Sequence, residues 1–564
     1  MNPLKWCALC AAAFVTLVCL SASLAARAEL VDPPTATGSA PESKKDVEVA
    51  KPAPPRQTGE GVGPFHKLVI RGVTLIDGTG SPARGPVDIV IAENRIVDIK
   101  QAGTPGLPME RSRPPKDADY ELDATGMYVL PGFVDVHAHG STVDKAPDLS
   151  YSYKLWLAHG VTTVRTVPLA PLEIALSERA RSARNEIVAP RIYVYQPPGE
   201  SKGWTGGPVN SPAKARSWVD WAVKQGIDGV KIFNTPDQDP ETFAAICDEA
   251  RKLHVGTVSH LSATGLGRMN AQEAGDAGLN TVTHMYGHFE SLLKNGQIQN
   301  FPPDYNYNNE QDRFGDIADL ATQSYDPGSP EWKAYLEHQK ANHVVFDPTF
   351  SIYSASRDLM HQRNADWHDT YTMPQLWDYF ESSRENHGSY FYDWTTANEV
   401  KWRNFYRKFM HLINDYKNMG GRVTTGSDSG FIYDIYGFGY IEELELLQEA
   451  GFNPLQVVTS ATLNGALTLA DPKGAIPEFG TVRVGKLADL VIAKENPLQN
   501  FKTLYGTGAL RLNDSTHRLE RVGGVSYTVK DGIVYDAKKL LAEVADMVAA
   551  EKRKRGLPDR LNRP

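Results

Sequence analysis

Five separate apolar runs in this chain stop at or beside a residue that can take part in metal binding. The runs are GFVDVHAH, GVKIF, VGTVSH, NTVTH and RVTTGSD, and the residues are His137 and His139, Lys231, His260, His284 and Asp428. A short apolar run bounded by turn residues reads as a buried strand. A closed parallel barrel gathers the C-terminal ends of its strands around one mouth, where side chains far apart in sequence meet. The repetition therefore predicts a barrel with a two-metal site at that mouth.

The runs GFVDVHAH, VTTVRTV, RIYVY, GVKIF, VGTVSH, NTVTH, VVFDPTF and RVTTGSD predict eight strands, and helical segments lie between most of them. Asp239 followed by Pro240 marks one helix start, and SPAKARSWVDWAVKQG is another helix. This alternation is the pattern of an α/β fold, here a TIM-like (β/α)8 barrel. A doubly wound open sheet alternates in the same way but leaves the ligands at strand ends unexplained. On either side of the barrel, which spans 131–479, the stretches 65–130 and 480–535 alternate apolar and polar residues with turns between them. One small β-sandwich built from both flanks accounts for this; two separate β modules would each have few strands to close a core. Residues 536–564 read as a C-terminal helical extension.

The first 28 residues carry Lys5, an apolar stretch from Trp6 to Leu24, and Ala26-Arg27-Ala28, the pattern of a cleaved secretory signal. A membrane anchor is the rival reading, but the apolar core is short and ends in small residues. The expectation is therefore an exported protein, periplasmic or secreted, with no stable membrane insertion after cleavage. Residues 29–64, rich in Pro, Lys, Glu, Ala and Gly without a hydrophobic period, read as a disordered tether. Three of the four cysteines lie in the signal, so Cys247 is left without an internal disulfide partner. A formal net charge of −9, with Lys552-Arg553-Lys554-Arg555 as the one cationic cluster, argues against nucleic acid as a partner.

Two connections, 285–343 and 351–419, follow the sixth and seventh strands on the face of the expected site. Their length exceeds that of ordinary barrel loops. The second contains Trp367, Trp377, Trp394 and Trp402 among other rings, and reads as a partly helical lid or as a contact in a homo-oligomer.

Residues two apart on a strand share a face, so His137 and His139 can bind one ion. Lys231 has no lone pair as an ammonium, but a buried lysine can lose its proton and add carbon dioxide, giving a carbamate that bridges two ions. A salt-bridged lysine is the plainer reading of that residue taken alone. His260 and His284 end consecutive runs and would complete the second shell, while Asp428 would coordinate the first ion and contact a bridging solvent. Surface capping is the plainer reading of Asp428.

At PGFVDVHAHG, GVTTVRT, GIDGVKIF, GLNTVTH, TGSDSG, SATLNGALTLA and GTVRVGKLADLVI, across about residues 66 to 535, the chain resembles the amidohydrolase superfamily. The resemblance is to its two-metal, carboxylated-lysine branch, with imidazolonepropionase-like and prolidase-like members in view, although imidazolonepropionase itself lacks the bridging lysine. It implies His137 and His139 on the buried metal, His260 and His284 on the other, Lys231 as carbamate bridge, and Asp428 as ligand and proton shuttle. The chain departs from prolidase-like members at Gly203-Trp204-Thr205-Gly206-Gly207-Pro208, where a Gly-Gly-His turn is usual. The expected activity is hydrolysis of a carbon–nitrogen bond in an amide, cyclic amide or dipeptide-like small molecule by a metal-bridging hydroxide, with two divalent ions, zinc by donor type. Hydrolysis of a lactone or phosphoester at the same site, and a non-catalytic exported binding protein, are the alternatives.

Overall fold

The computed structural model describes residues 50–560 except 111, 200, 234–238, 262–267, 295–308 and 385. The proposed signal and residues 29–49 lie outside the described residues. Strands from the first flank are β1 (Phe65–Leu75), β2 (Arg84–Glu93), β3 (Arg95–Gln101), β4 (Tyr120–Asp123) and β5 (Tyr128–Pro131). The barrel region contributes β6 (Phe133–Ala138), β7 (Val161–Thr166), β8 (Arg191–Gln196), β9 (Gly229–Ile232), β10 (Gly256–His260), β11 (Thr281–Thr283) and β12 (Val345–Asp347). The second flank adds β13 (Leu490–Ala493), the hairpin β14 (Ala509–Asn513) and β15 (Arg518–Val522), then β16 (Val525–Lys530) and β17 (Ile533–Asp536).

The two flanks form one eight-stranded mixed sheet in the order β17-β16-β13-β5-β1-β2-β3, with β4 also beside β1. The seam between them is the antiparallel pair β13–β5, with Leu490 opposite Pro131 and Ala493 opposite Tyr128. Alternating Leu68, Ile70, Ile89, Ile91, Leu490 and Ile492 bury into a core of their own. Neither flank closes that core alone. Beside it, Asp88 is buried between Arg71 at 3.0 Å and Arg113 at 2.8 Å, and also accepts from the Gly72 amide at 2.8 Å.

Strands β6 to β12 run parallel in chain order, making a seven-stranded, nearly closed TIM-like barrel. The expected eighth strand, RVTTGSD, forms no regular strand, but its backbone still bridges the gap. Phe346 N–H donates to Arg422 O at 3.0 Å and Thr424 N–H to Phe346 O at 3.0 Å, while Val136 N–H donates to Thr425 O at 3.0 Å. Side chains fill the barrel rather than leaving a pore: a Cβ at Gly229 would meet the Tyr195 ring at 2.2 Å, and one at Gly256 would meet its hydroxyl at 2.1 Å. Those two glycines make room for a tyrosine below the site.

The tether reading fails for residues 50–64. Ala50 and Ala53 are buried, the Ala53 amide donates to Glu178 Oε2 at 3.1 Å, and Arg56 N–H donates to Glu186 O at 2.8 Å. Small side chains among prolines carry little hydrophobic signal in the sequence. At the other end, the helix Ala537–Lys554 packs against the helix Ser150–Ala158 and buries Leu540, Leu541, Val544 and Val548. Within the 351–419 connection, the 23-residue helix Thr396–Asn418 begins with a Thr395–Asn398 capping box and buries Trp402, Phe405, Tyr406 and Phe409. Among the described residues, no helix is long and apolar enough to cross a membrane.

Candidate metal centre

All six candidate ligands sit at the C-terminal ends of barrel elements. On β6, Asp135 and His137 share a face, and His139 follows just past the strand. Asp135 ties this strand to the irregular eighth segment, accepting from the Ser427 amide at 3.1 Å, the Ser427 hydroxyl at 2.6 Å and the His137 amide at 3.1 Å. The Asp428 amide returns the link by donating to His137 O at 2.8 Å. Gly426 lies between them, where a Cβ would fall 2.5 Å from His137 Cβ and 2.7 Å from Asp347 Oδ1. The eighth segment can approach the first strand this closely only because residue 426 lacks a side chain.

Asp428 is the centre of the cluster. Its Oδ1 lies 3.1 Å from His139 Nε2 and 3.5 Å from His137 Nε2, and its Oδ2 lies 3.7 Å from His284 Nε2. The ligand atoms of His137, His284 and Asp428 lie within 4.8 Å of one another. Lys231 Nζ stands 3.5 Å from His137 Nε2. His260 lies on the far side of His284, with ring centroids 4.7 Å apart, and also meets Tyr286 at 4.8 Å. Both His284 and Asp428 hold left-handed backbone conformations, φ 65° and 54°. Non-glycine residues rarely occupy that region, and such strain gathers at functional sites.

Burial sets the electrostatics. It holds His137, His260 and His284 well below the ordinary imidazole value, with neighbouring positive groups adding to the effect. His139 is lowered by burial too, against the pull of Asp428. These rings are therefore neutral at pH 7 and can offer lone pairs, as metal ligation requires. Burial also brings Lys231 down to about 7, opposed by Asp428. A fraction of its amine is thus uncharged at neutral pH and nucleophilic.

Three further residues stand behind the candidate ligands. The Thr349 hydroxyl donates to Pro348 O at 2.7 Å, so it must accept from His284 Nδ1 at 2.5 Å. That contact fixes the proton on Nδ1 and turns the Nε2 lone pair toward Asp428. His137 Nδ1 faces Asp347 Oδ2 at 3.5 Å, and Arg165 lies 3.7 Å from the same oxygen. Burial pushes Asp347 up to about 7 against the pull of Arg165 and Lys231. Sequence reasoning passed over Asp347 although VVFDPTF carries the same cue as the other runs, a polar residue ending an apolar strand. Arg165 and Thr349 had no such cue, since each lies among residues that read as ordinary strand or turn.

A set of neutral imidazoles around one carboxylate, with a carboxylate behind one imidazole and a hydroxyl behind another, fits a divalent cation. The long connections add aromatic walls. Tyr353 meets His284 at 5.7 Å and Phe314 joins Tyr286 to Tyr390, while Phe431, just after Asp428 and outside those connections, meets His139 at 5.5 Å. Trp377 and Trp394 do not reach the ligands: Trp377 packs on His368 and Tyr433, and Trp394 on Tyr390 and Phe391.

The sequence profile of the amidohydrolase family matches residues 385–534, the stretch that contains Asp428 and most of the second flank. Over that stretch, which is about a quarter of the chain, the sequence is similar to the amidohydrolase family. It is 36% identical over 111 residues to an N-acyl-D-aspartate deacylase from Alcaligenes xylosoxydans xylosoxydans, a stretch that makes up 19% of each protein. The chain thus spans about a fifth or less of the length of the curated relatives it matches. A bottromycin amidohydrolase is similar in structure with a TM-score of 0.58 at 18% identity, covering 88% of this chain and 92% of its own. A Xaa-Pro dipeptidase gives 0.52 at 19% identity, covering 83% of this chain and 100% of its own. At these identities the two structures speak for the fold.

Proposed function

We propose that this protein is a member of the amidohydrolase superfamily and a metal-dependent hydrolase of carbon–nitrogen bonds in small amides, cyclic amides or dipeptide-like molecules. The observation that carries the reading is the convergence of His137, His139 and His284 on Asp428 at the barrel mouth, with Lys231 against His137. His137, His139 and Asp428 would hold one divalent ion, His260 and His284 a second, and Lys231, as its carbamate, would supply the shared anion. Zinc suits the mixed nitrogen and oxygen donors. Bound cations of this kind activate water and polarise a carbonyl oxygen.

The chain's own residues supply the rest. The carboxylate of Asp428, anchored through its backbone amide, accepts the proton from the attacking water and delivers it to the departing nitrogen. One water is consumed as the C–N bond breaks and the C–O bond forms, leaving an acid and an amine. Tyr286, Tyr353 and Phe431 exclude bulk water and wall the substrate. The sequence of residues 1–28 supports an exported enzyme, which cell fractionation with N-terminal sequencing of the mature chain would check.

Purified protein supplied with zinc should release equimolar acid and amine from members of a panel of N-acyl amino acids, dipeptides and cyclic amides. Asp428→Asn should cut that turnover by about 10²-fold or more with metal retained. Cleavage confined to lactones or phosphoesters would overturn the assignment to carbon–nitrogen bonds.

A further inference from the structure

Beside the ligand cluster, the loop after β6 places one cation where a structural role does not account for it. Gly140 fixes the start of this loop, since a Cβ there would meet Leu169 O at 2.0 Å, and the Ser141 hydroxyl closes it on Asp148 O at 3.1 Å. The loop delivers Lys145, only 4% exposed, beneath two aromatic rings. Its ammonium lies 3.5 Å from the centroid of Phe431 and 4.6 Å from that of Tyr379. Phe431 is the ring that also packs on His139. Among the described residues, the Lys145 ammonium has no hydrogen bond and no ion pair. Asp144 and Asp428 act on it only through space.

The Arg313 guanidinium differs in this respect, since it pairs with Glu310 at 2.6 Å. A buried, unpaired ammonium costs stability, because ring faces return only part of the hydration it has lost. Burial brings Lys145 down to about 7, and an arriving anion would restore its full charge.

We infer that Lys145, framed by Phe431 and Tyr379, is the anchor for a carboxylate carried by the substrate, which makes N-acyl amino acids and peptides with a free carboxylate the substrate class. This inference rests on the proposed hydrolase reading, with Lys145 selecting the substrate and taking no part in bond cleavage. A neutral amide of the same shape would leave the ammonium unpaired and bind more weakly.

The test uses the full chain loaded with zinc and two matched probes, 3-phenylpropionate and 3-phenylpropanamide, in titration calorimetry. The wild type should bind the acid about 10-fold or more tightly than the amide, as expected for a charge-assisted contact. Lys145→Met should bring the two affinities within about 3-fold and Lys145→Arg should keep most of the preference, with metal content unchanged in both. Lys145→Met should also melt no lower than the wild type, since it removes an unpaired buried charge. An acid preference that survives in Lys145→Met, or is absent in the wild type, overturns the inference, because the carboxylate then binds elsewhere or nowhere. Turnover of N-acetylphenylalanine against N-acetylphenethylamine separates the two readings. Failure to cleave any amide sinks the hydrolase reading, whereas cleavage of both at equal rates sinks only the role of Lys145.

Discussion

Replacing Thr349 by Val should damage metal binding without touching a metal ligand. The two side chains have nearly the same shape, and both are β-branched, so the left-handed backbone at residue 349, φ 48°, is equally strained in each. What is lost is the acceptor for His284 Nδ1 at 2.5 Å, inside a site where His284 is 1% and Thr349 0% exposed. The imidazole then has two options. It can keep its proton on Nδ1 as an unpaired buried donor, at a cost of about 1–3 kcal/mol. It can instead move the proton to Nε2, which removes the lone pair a cation needs. Metal-free protein can take the second route, so its unfolding midpoint should fall little. Metal-bound protein cannot, and affinity should drop about 10–100-fold, the usual effect of removing an outer hydrogen-bond partner. Competition against a zinc chelator measures the affinity, and urea unfolding of apoprotein measures the stability. Unchanged affinity together with unchanged apo stability would refute the assigned role of Thr349.

Gly426→Ala should cost about 1–3 kcal/mol by overpacking, since the new methyl would lie within 3 Å of His137 and Asp347, and metal content should fall with it. A fully metallated, fully stable variant would show that the eighth segment is free to shift. Asp88 supplies a pH test in the outer sheet. Burial alone would raise its carboxyl, but Arg113, the Gly72 amide and Arg71 outweigh this and hold it below the ordinary value of 3.8. Its stabilising effect is therefore complete above about pH 4 and is lost as pH falls through the lower folded value. Asp88→Asn should unfold about 3–5 kcal/mol more easily at neutral pH, and that gap should narrow in acid. A gap that stays constant from pH 7 to pH 3 would contradict the ion-pair account.

The barrel was legible because each of β6 to β12 is a short apolar run, and a buried parallel strand has little choice but to look like one. The eighth segment carries a comparable sequence, but Gly426 and the turned backbone at Asp428 spend its last residues on approaching β6 rather than on regular pairing. The candidate ligands were legible as candidates from their place at strand ends. Their supports were not, because a hydroxyl such as that of Thr349 becomes specific only through a partner 65 positions away. Lys145 sits in a loop without a period, where nothing in the sequence separates a buried cation from a solvated one. The aromatic 351–419 connection was expected to act as a lid or an interface. Many of its rings, such as Trp377, Phe380, Tyr390 and Trp402, are buried in the body of the protein, and Tyr353 lies against His284.

The proposed pair of ions bridged through Lys231 can be tested by metal analysis of wild type and Lys231→Ala, each dialysed against zinc in the presence of bicarbonate. The wild type should hold two ions per chain and the variant should lose most of its metal, with partial recovery when a small carboxylic acid stands in for the missing carbamate. Two ions still bound to Lys231→Ala, without any added acid, would contradict it.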